Sequence, residues 1–134
     1  MKDILFIIGS DSDRKSIAPG LELADEKKLK YELHVFSAHR NLTELLTFLE
    51  RQAGGYRVII AAAGLSAALP GIIAAKVSLP VIGVPLVSGP LSGIDALLSI
   101  LQLPKGVPVA TMGVGTQGVL NAVHLAERIL NVPR

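Results

Sequence analysis

The sequence predicts an α/β fold in which parallel strands alternate with helices. Short, uninterrupted apolar runs alternate along the chain with segments of helical periodicity. Half of the residues are hydrophobic but only 4% are aromatic, so the apolar content is mainly Ala, Val, Ile and Leu, as in strands buried on both faces. The length of 134 residues suits one core. We therefore expect a single domain, residues 1–134, with three α/β/α layers.

The first half of the chain predicts three strands separated by two helices. Two of the strands are short apolar runs at residues 4–8 and 58–63, and the segment 31–36 resembles a further strand. A polar loop, Gly9–Asp13, follows the first strand, and a helix is expected from there to about Lys28. Pro19-Gly20 interrupts this segment, so we expect the regular part of the helix to begin at Pro19, because proline is tolerated in a first helical turn.

The second helix has clear sequence boundaries. Asn41 and Glu44 have the spacing of a capping box, which predicts Asn41 as the N-cap. Gly54-Gly55 is expected to end the helix. Between these limits, leucines recur on one helical face at positions 42, 45, 46 and 49.

The second half of the chain completes the sheet. Strands are expected at 80–84 and 107–114, and helices at 69–76, 94–101 and 120–130. Five parallel strands in one domain favour a flavodoxin-like fold with strand order 2-1-3-4-5. In such sheets, ligands bind beyond the carboxyl ends of the strands, where the strand order reverses.

Composition excludes several classes of function. The chain has no cysteine, which rules out disulfides, thiolate metal sites and a cysteine nucleophile, and fits a cytoplasmic location. Thirteen Lys and Arg against eleven Asp and Glu leave a net charge of +2, and no basic cluster is interleaved with aromatic residues. We therefore expect no nucleic-acid partner.

Two uncharged stretches, 58–75 and 77–94, are long enough to cross a membrane. Each is interrupted by Gly and Pro, which fit strand–loop–helix units better, so no membrane partner is expected. Only 18% of the residues are charged, against the usual quarter. This shortage of polar surface predicts a homo-oligomer.

Polar loops follow the first three strands, and all three should meet at one edge of the sheet. Ser10 and Asp13 precede a helix N-terminus, so they could bind an anion and ribose hydroxyls, or simply cap the helix. Arg40 could bind a phosphate through two hydrogen bonds, or remain a solvated charge. His39 is the candidate for proton transfer, because imidazole titrates near neutrality. His34 and His124 are expected to be packing or surface residues, and no pair of histidines has metal-ligand spacing.

Several motifs carry a family resemblance. In chain order they are Gly-Ser-Asp-Ser-Asp at 9–13, Ser-Ala-His-Arg at 37–40, Leu-Pro-Gly-Ile-Ile-Ala-Ala-Lys at 69–76, Pro-Val-Ile-Gly-Val-Pro at 80–85, Leu-Ser-Gly-Ile-Asp at 91–95 and Asn-Ala at 121–122. Together they resemble the motifs of the N5-carboxyaminoimidazole ribonucleotide mutases, small purine-biosynthesis enzymes related to the aminoimidazole ribonucleotide carboxylases.

The resemblance implies roles for individual residues. Ser10, Asp13 and Arg40 match positions that bind the phosphate and ribose of the substrate, and Ser37 matches another residue of that pocket. His39 matches the family's proton-transfer histidine. The family uses no metal or organic cofactor and forms octamers.

The implied reaction moves a carboxylate from a nitrogen to a ring carbon through transient CO2. Small residues would suit a dry pocket for CO2, and the sequence offers Gly64 and Ser66 together with Ala63, Ala67 and Ala68.

Departures from the family leave two alternatives. Ala68 stands where the family commonly has a second histidine, Arg14 where it has an aromatic residue, and Gly64-Leu65-Ser66 where it has Gly-Gly-Ala. The sequence ends at Arg134, before the family's further C-terminal helix, which we expect to be lacking. The alternatives to the mutase reaction are direct carboxylation of aminoimidazole ribonucleotide with CO2, and nucleotide binding without catalysis.

Overall fold

The computed structural model describes residues 2–133 and contains one five-stranded parallel sheet. Its strands are β1 (Ile4–Ile8), β2 (Tyr31–Val35), β3 (Val58–Ala63), β4 (Val81–Pro85) and β5 (Ala110–Thr111). They lie in the order β2-β1-β3-β4-β5, with parallel pairing throughout. The predicted fold class and strand order are therefore confirmed.

Five helices cover the two faces of the sheet. They are α1 (Arg14–Glu26), α2 (Leu42–Gln52), α3 (Leu69–Lys76), α4 (Ile94–Leu101) and α5 (Thr116–Leu130). Alternate residues of a strand point to opposite faces, so Leu5 and Ile7 of β1 join the core beneath α2, α3 and α4. Ile4, Phe6 and Ile8 join the core beneath α1 and α5. Burial on both faces explains why β1, β3 and β4 are continuous apolar runs, whereas the edge strand β2 carries Glu32 and His34 and is only partly buried.

The first helix begins earlier than the sequence predicts. A single 3-10 turn at Asp11–Asp13 leads directly into α1 at Arg14, and Pro19 lies inside the helix. Ile17, which precedes the proline, is buried in the core, so packing holds the first turn in place although Pro19 cannot donate a hydrogen bond. Gly20 is required by close packing, because a Cβ there would lie 2.2 Å from Cγ1 of Val119 on α5.

The second helix starts where predicted but without a capping box. Asn41 is the N-cap of α2, yet its side chain makes no capping hydrogen bond. Its Oδ1 instead accepts a hydrogen bond from the backbone N–H of Ser37 at 3.3 Å. The Asn41 side chain thus binds the preceding loop, whereas the local sequence predicts that it caps α2. The helix ends at Gln52, and a further 3-10 turn follows at Ala53–Gly55.

The last strand and last helix also depart from prediction. β5 has two residues rather than the eight of 107–114, because Pro108 has no N–H to donate and Gly113 leaves strand geometry at φ +130°. α5 begins at Thr116 rather than Leu120, and Gly118 allows its first turn to approach the Gly113 carbonyl. Across residues 2–133, none of the helices has both the length and the apolar character that crossing a membrane would require.

Candidate active site

A cavity of about 230 Å3 lies at the carboxyl edge of the sheet, between the loops that follow β1, β2 and β3. This is the edge at which the sequence predicts a ligand. Six predicted site residues line it or its rim, and they come from all three loops: Ser10, Asp13, Ser37, His39, Gly64 and Ser66. The three segments that are distant in sequence therefore meet in one place.

The loop after β1 presents two hydroxyl groups to the cavity. Ser10 Oγ accepts a hydrogen bond from the backbone N–H of Ser12 at 3.3 Å, and lies 2.9 Å from Ser12 Oγ. Ser10 is therefore the N-cap of the 3-10 turn, as one of the two sequence interpretations expects. Both hydroxyls are exposed and remain within reach of a ligand in the cavity.

Asp13 supplies a carboxylate at the base of α1. It is the N-cap of this helix but makes no side-chain capping hydrogen bond. Burial raises the pKa of the Asp13 carboxyl, and a hydrogen bond from the Ser10 backbone partly opposes that increase. A Cβ at Gly9 would lie 3.9 Å from Asp13 Oδ2, so the carboxylate packs beside bare backbone. This half-buried acceptor suits a ligand hydroxyl better than it suits the helix end.

The loop after β2 carries His39 into the cavity. The Ser37 carbonyl accepts a hydrogen bond from the Asn41 N–H at 2.8 Å, and Ser37 Oγ accepts one from the Arg40 N–H at 3.2 Å. These two bonds close the turn that contains His39, an exposed residue that lines the cavity.

Arg40 lies outside the cavity that contains Asp13. It borders a second, adjoining cavity of about 570 Å3, which shares Gly9, Ser10, Ser37 and His39 with the first. The Arg40 side chain is exposed there. The sequence predicts one binding pocket, and in the structure it comprises two adjoining compartments. Asp13 lines the smaller one, and Arg40 lines the larger one together with Asp11.

The remaining wall is built from small residues and from two residues that the sequence analysis did not assign. Ala63 at the end of β3, and Gly64, Ser66 and Ala68 in the loop between β3 and α3, line the cavity. Ala67, also expected in this wall, is buried in the core instead.

Ser88 and Leu65 also line the cavity. A Cβ at Gly64 would lie 2.9 Å from Ser88 Cβ, so the loops after β3 and β4 are in direct contact. Ser88 follows the carboxyl end of β4, and that position was the signal that could have identified it.

The other two histidines lie away from this cavity. His34 Nε2 lies 3.1 Å from Glu32 Oε2, and the His34 ring packs on Phe48 with centroids 4.5 Å apart. His124 is exposed on α5. Within residues 2–133, no three His, Cys, Asp or Glu side chains are arranged to hold a metal ion.

The geometry defines what the site can do. It offers one imidazole for proton transfer, one half-buried carboxylate for hydroxyl groups, several hydroxyl donors and one adjoining guanidinium. Together these groups suit a small, phosphorylated polar molecule that reacts by gaining and losing a proton.

Comparison with known proteins gives a consistent set of relatives. The family model described as AIR carboxylase matches residues 3–134. The N5-carboxyaminoimidazole ribonucleotide mutase of Haemophilus influenzae is 48% identical over 128 residues, which cover 95% of this chain and 78% of that protein. The phosphoribosylaminoimidazole carboxylase of Schizosaccharomyces pombe is 48% identical over 125 residues, 92% of this chain but 22% of that protein. The crystal structure of Treponema denticola PurE superposes with a TM-score of 0.84 at 25% identity, covering 97% of this chain and 80% of that one.

Proposed function

Because the chain belongs to the AIR carboxylase family, we propose that it interconverts N5-carboxyaminoimidazole ribonucleotide and 4-carboxy-5-aminoimidazole ribonucleotide in purine biosynthesis. The observation that carries this proposal is the convergence of His39, Ser10 and Asp13 on one cavity. Extensive similarity to proteins named as mutases supports the same reaction.

His39 is proposed to transfer the proton in both halves of the reaction. Its protonated ring donates to the exocyclic nitrogen as the nitrogen–carboxylate bond breaks, which gives a free amine and CO2. The electron-rich ring carbon C4 then attacks CO2, and the neutral imidazole removes the proton from C4. The proton returns to His39 and no electrons are gained or lost, so the steps need no redox cofactor.

Binding is proposed to extend over both compartments. Arg40 and Ser10 would bind the phosphate in the larger cavity, where both line the wall. Asp13 would accept hydrogen bonds from the ribose hydroxyls in the smaller cavity. Ser37, at the junction of the two cavities, would hold the turn that carries His39. Phosphate binding then supplies remote energy that positions the heterocycle against His39.

The small residues at the end of β3 and in the loop that follows it are proposed to hold CO2. Gly64 and Ser66, with Ala63 and Ala68, leave space beside His39 without placing a bulky side chain in it. Holding CO2 next to C4 turns a bimolecular encounter into a positioned one.

We also propose that the chain functions as a homo-oligomer, an octamer by family resemblance, in the cytoplasm. Helix α4 exposes an apolar stripe, with Ile94, Leu98 and Leu101 at 58%, 56% and 53% exposure. Their spacing places them on one helical face, as expected for a surface covered by another copy. Measurement of the mass in solution tests the assembly, and a monomer at micromolar concentration would contradict it.

The reaction is tested by product formation with and without bicarbonate. Purified protein is expected to convert N5-carboxyaminoimidazole ribonucleotide without added bicarbonate. Product formation from aminoimidazole ribonucleotide only when bicarbonate or CO2 is supplied would favour the carboxylase, which the similarity to the fungal carboxylase makes the second candidate. Nucleotide binding without either conversion would indicate a non-catalytic relative.

A further inference from the structure

Leu65 has a backbone conformation that branched residues rarely adopt. It lies in the loop after β3 with φ +56°, the left-handed region that favours glycine. Holding a residue with a Cβ there is unfavourable, because the Cβ approaches the following carbonyl oxygen. The residue is not stabilised by full burial, because 51% of it remains exposed. Something other than core packing must therefore account for a leucine at this position.

The strained backbone places the Leu65 side chain at the rim of the candidate active site. Leu65 lines the cavity that also contains His39 and the small residues at the end of β3 and in the loop that follows it. Its Cδ2 lies 2.9 Å from the place that a Cβ at Gly89 would occupy, so the side chain packs on bare backbone of the loop after β4. Gly89 itself has φ +79°.

Two neighbouring contacts join these loops. Leu65 packs on Gly89, and Gly64 packs on Ser88 directly beside it. The loops after β3 and β4 are thus in contact at two adjacent positions. Leu65 packs against the loop after β4 on one side, while about half of the residue faces solvent at the rim of the cavity.

We infer that Leu65 is a retention residue, whose side chain limits the escape of CO2 from the cavity during the reaction. The inference rests on the proposed function, in which CO2 exists briefly as a free molecule beside C4. CO2 is uncharged and apolar, so a branched aliphatic group retains it where a hydroxyl or an open gap would admit water. CO2 that escapes leaves aminoimidazole ribonucleotide behind as a by-product.

The experiment measures how the reaction divides between product and by-product. Wild-type protein, Leu65→Ala and Leu65→Gly are each mixed in excess with N5-carboxyaminoimidazole ribonucleotide in bicarbonate-free buffer. The ratio of aminoimidazole ribonucleotide to 4-carboxy product is then determined, after subtraction of decarboxylation without enzyme. Both variants are expected to raise this ratio roughly threefold or more, since they lose most of the apolar contacts of Leu65. Leu65→Met, which keeps an apolar side chain of similar volume, is expected to give a ratio close to that of the wild type.

Val132→Ala is the matched control. Val132 is 60% exposed after the end of α5 and does not line the cavity, so its loss is expected to leave the ratio unchanged. Leu65→Gly also guards against misfolding, because glycine adopts φ +56° without strain.

The outcomes separate this inference from the proposed function. If the wild-type protein forms the 4-carboxy product and both Leu65 variants give the wild-type ratio, retention by Leu65 is wrong and the reaction stands. If the variants only change the mass in solution, the residue serves assembly and the inference also fails. If the wild-type protein forms no 4-carboxy product, the proposed function itself fails.

Discussion

The hydroxyl group of Ser37 accepts a hydrogen bond from the backbone N–H of Arg40 at 3.2 Å. The carbonyl of the same serine accepts another from the N–H of Asn41 at 2.8 Å. Both bonds span the segment that holds His39, so one residue fixes the turn on which the proposed proton-transfer group is mounted. Ser37 therefore acts on the reaction through the position of His39 as well as through its own place in the pocket.

Ser37→Ala is expected to lower kcat about fivefold, because a typical hydrogen bond contributes about 1 kcal/mol. The melting temperature should fall by no more than about 4 °C, the shift that a loss of about 1 kcal/mol causes in a domain of this size. The overall fold should be kept, because the turn is exposed. Steady-state kinetics and thermal unfolding measure the two effects. Ser16→Ala, at an exposed position of α1, is the control and should alter neither. A wild-type kcat for Ser37→Ala would show that the hydroxyl does not support the turn in a way that catalysis needs.

Arg40→Ala is expected to raise KM about 10- to 100-fold, with a smaller change in kcat. A hydrogen bond to a charged group contributes about 1.5–3 kcal/mol, and Arg40 borders only the cavity proposed for the phosphate. The diagnostic measurement compares binding of the nucleotide with binding of its dephosphorylated nucleoside. The variant should lose most of the difference between the two ligands. Arg51→Ala, an exposed arginine on α2, should preserve it.

Gly20→Ala is expected to reduce the free energy of unfolding by about 1–3 kcal/mol, because its Cβ would meet Cγ1 of Val119 at 2.2 Å. In the Val119→Ala background, Gly20→Ala should reduce the free energy of unfolding by less than it does in the wild-type background. Gly54→Ala is the control, since a Cβ there meets nothing within 4 Å. Urea unfolding curves give the free energy of unfolding of the wild type and of all four variants. A Gly20→Ala protein as stable as the wild type would mean that α1 and α5 do not pack this closely.

The pH dependence of stability is expected to reflect Glu32 and Tyr56. Tyr56 donates a hydrogen bond to Glu32 Oε2 at 2.6 Å. Burial and this bond to the carboxylate raise the pKa of Tyr56 to about 12. The hydrogen bonds from Tyr56 and His34 lower the pKa of Glu32.

The free energy of unfolding should rise with pH at the acid end of the range and fall with pH at the alkaline end. Tyr56 contributes stability that is complete below about pH 10, the unfolded value, and is lost as pH rises towards about 12. Glu32 contributes stability that is present above its unfolded value, about pH 4.3, and is lost as pH falls further. Tyr56→Phe should therefore flatten both limbs of a plot of unfolding free energy against pH. Tyr31, whose pKa burial also raises, should keep some alkaline loss in the variant. Unchanged slopes would disprove the coupling.

The sequence predicts the centre of the sheet well, because β1, β3 and β4 are short apolar runs bounded by polar or glycine-rich loops. Such runs are typical of strands buried on both faces of a sheet, as these three are. The start of α1 and the length of β5 could not be predicted in the same way. The start of α1 depends on tertiary packing, because the burial of Ile17 in the core stabilises the turn that precedes Pro19. β5 is short because Pro108 and Gly113 interrupt a segment that otherwise resembles a strand.

The location of the candidate site is predictable from the sequence, because the site lies at the carboxyl ends of the first three strands. His39, Ser10 and Asp13 meet because parallel strands bring their carboxyl ends to one edge. The side chain of Asn41 was misassigned, because a contact within the loop competes with the helix cap. Ser88 and the conformation of Leu65 depend on how two loops pack together, which local sequence does not encode.

Proton transfer by His39 is examined with the His39→Asn variant. Asparagine keeps a polar side chain but cannot exchange a proton near neutrality, and a general acid–base group contributes about 10²- to 10⁴-fold. Turnover of N5-carboxyaminoimidazole ribonucleotide should fall by at least about 100-fold, with nucleotide binding still measurable. His124→Asn, at an exposed site on α5, should retain full activity. A His39→Asn protein that turns over at close to the wild-type rate would show that His39 is not the proton-transfer group.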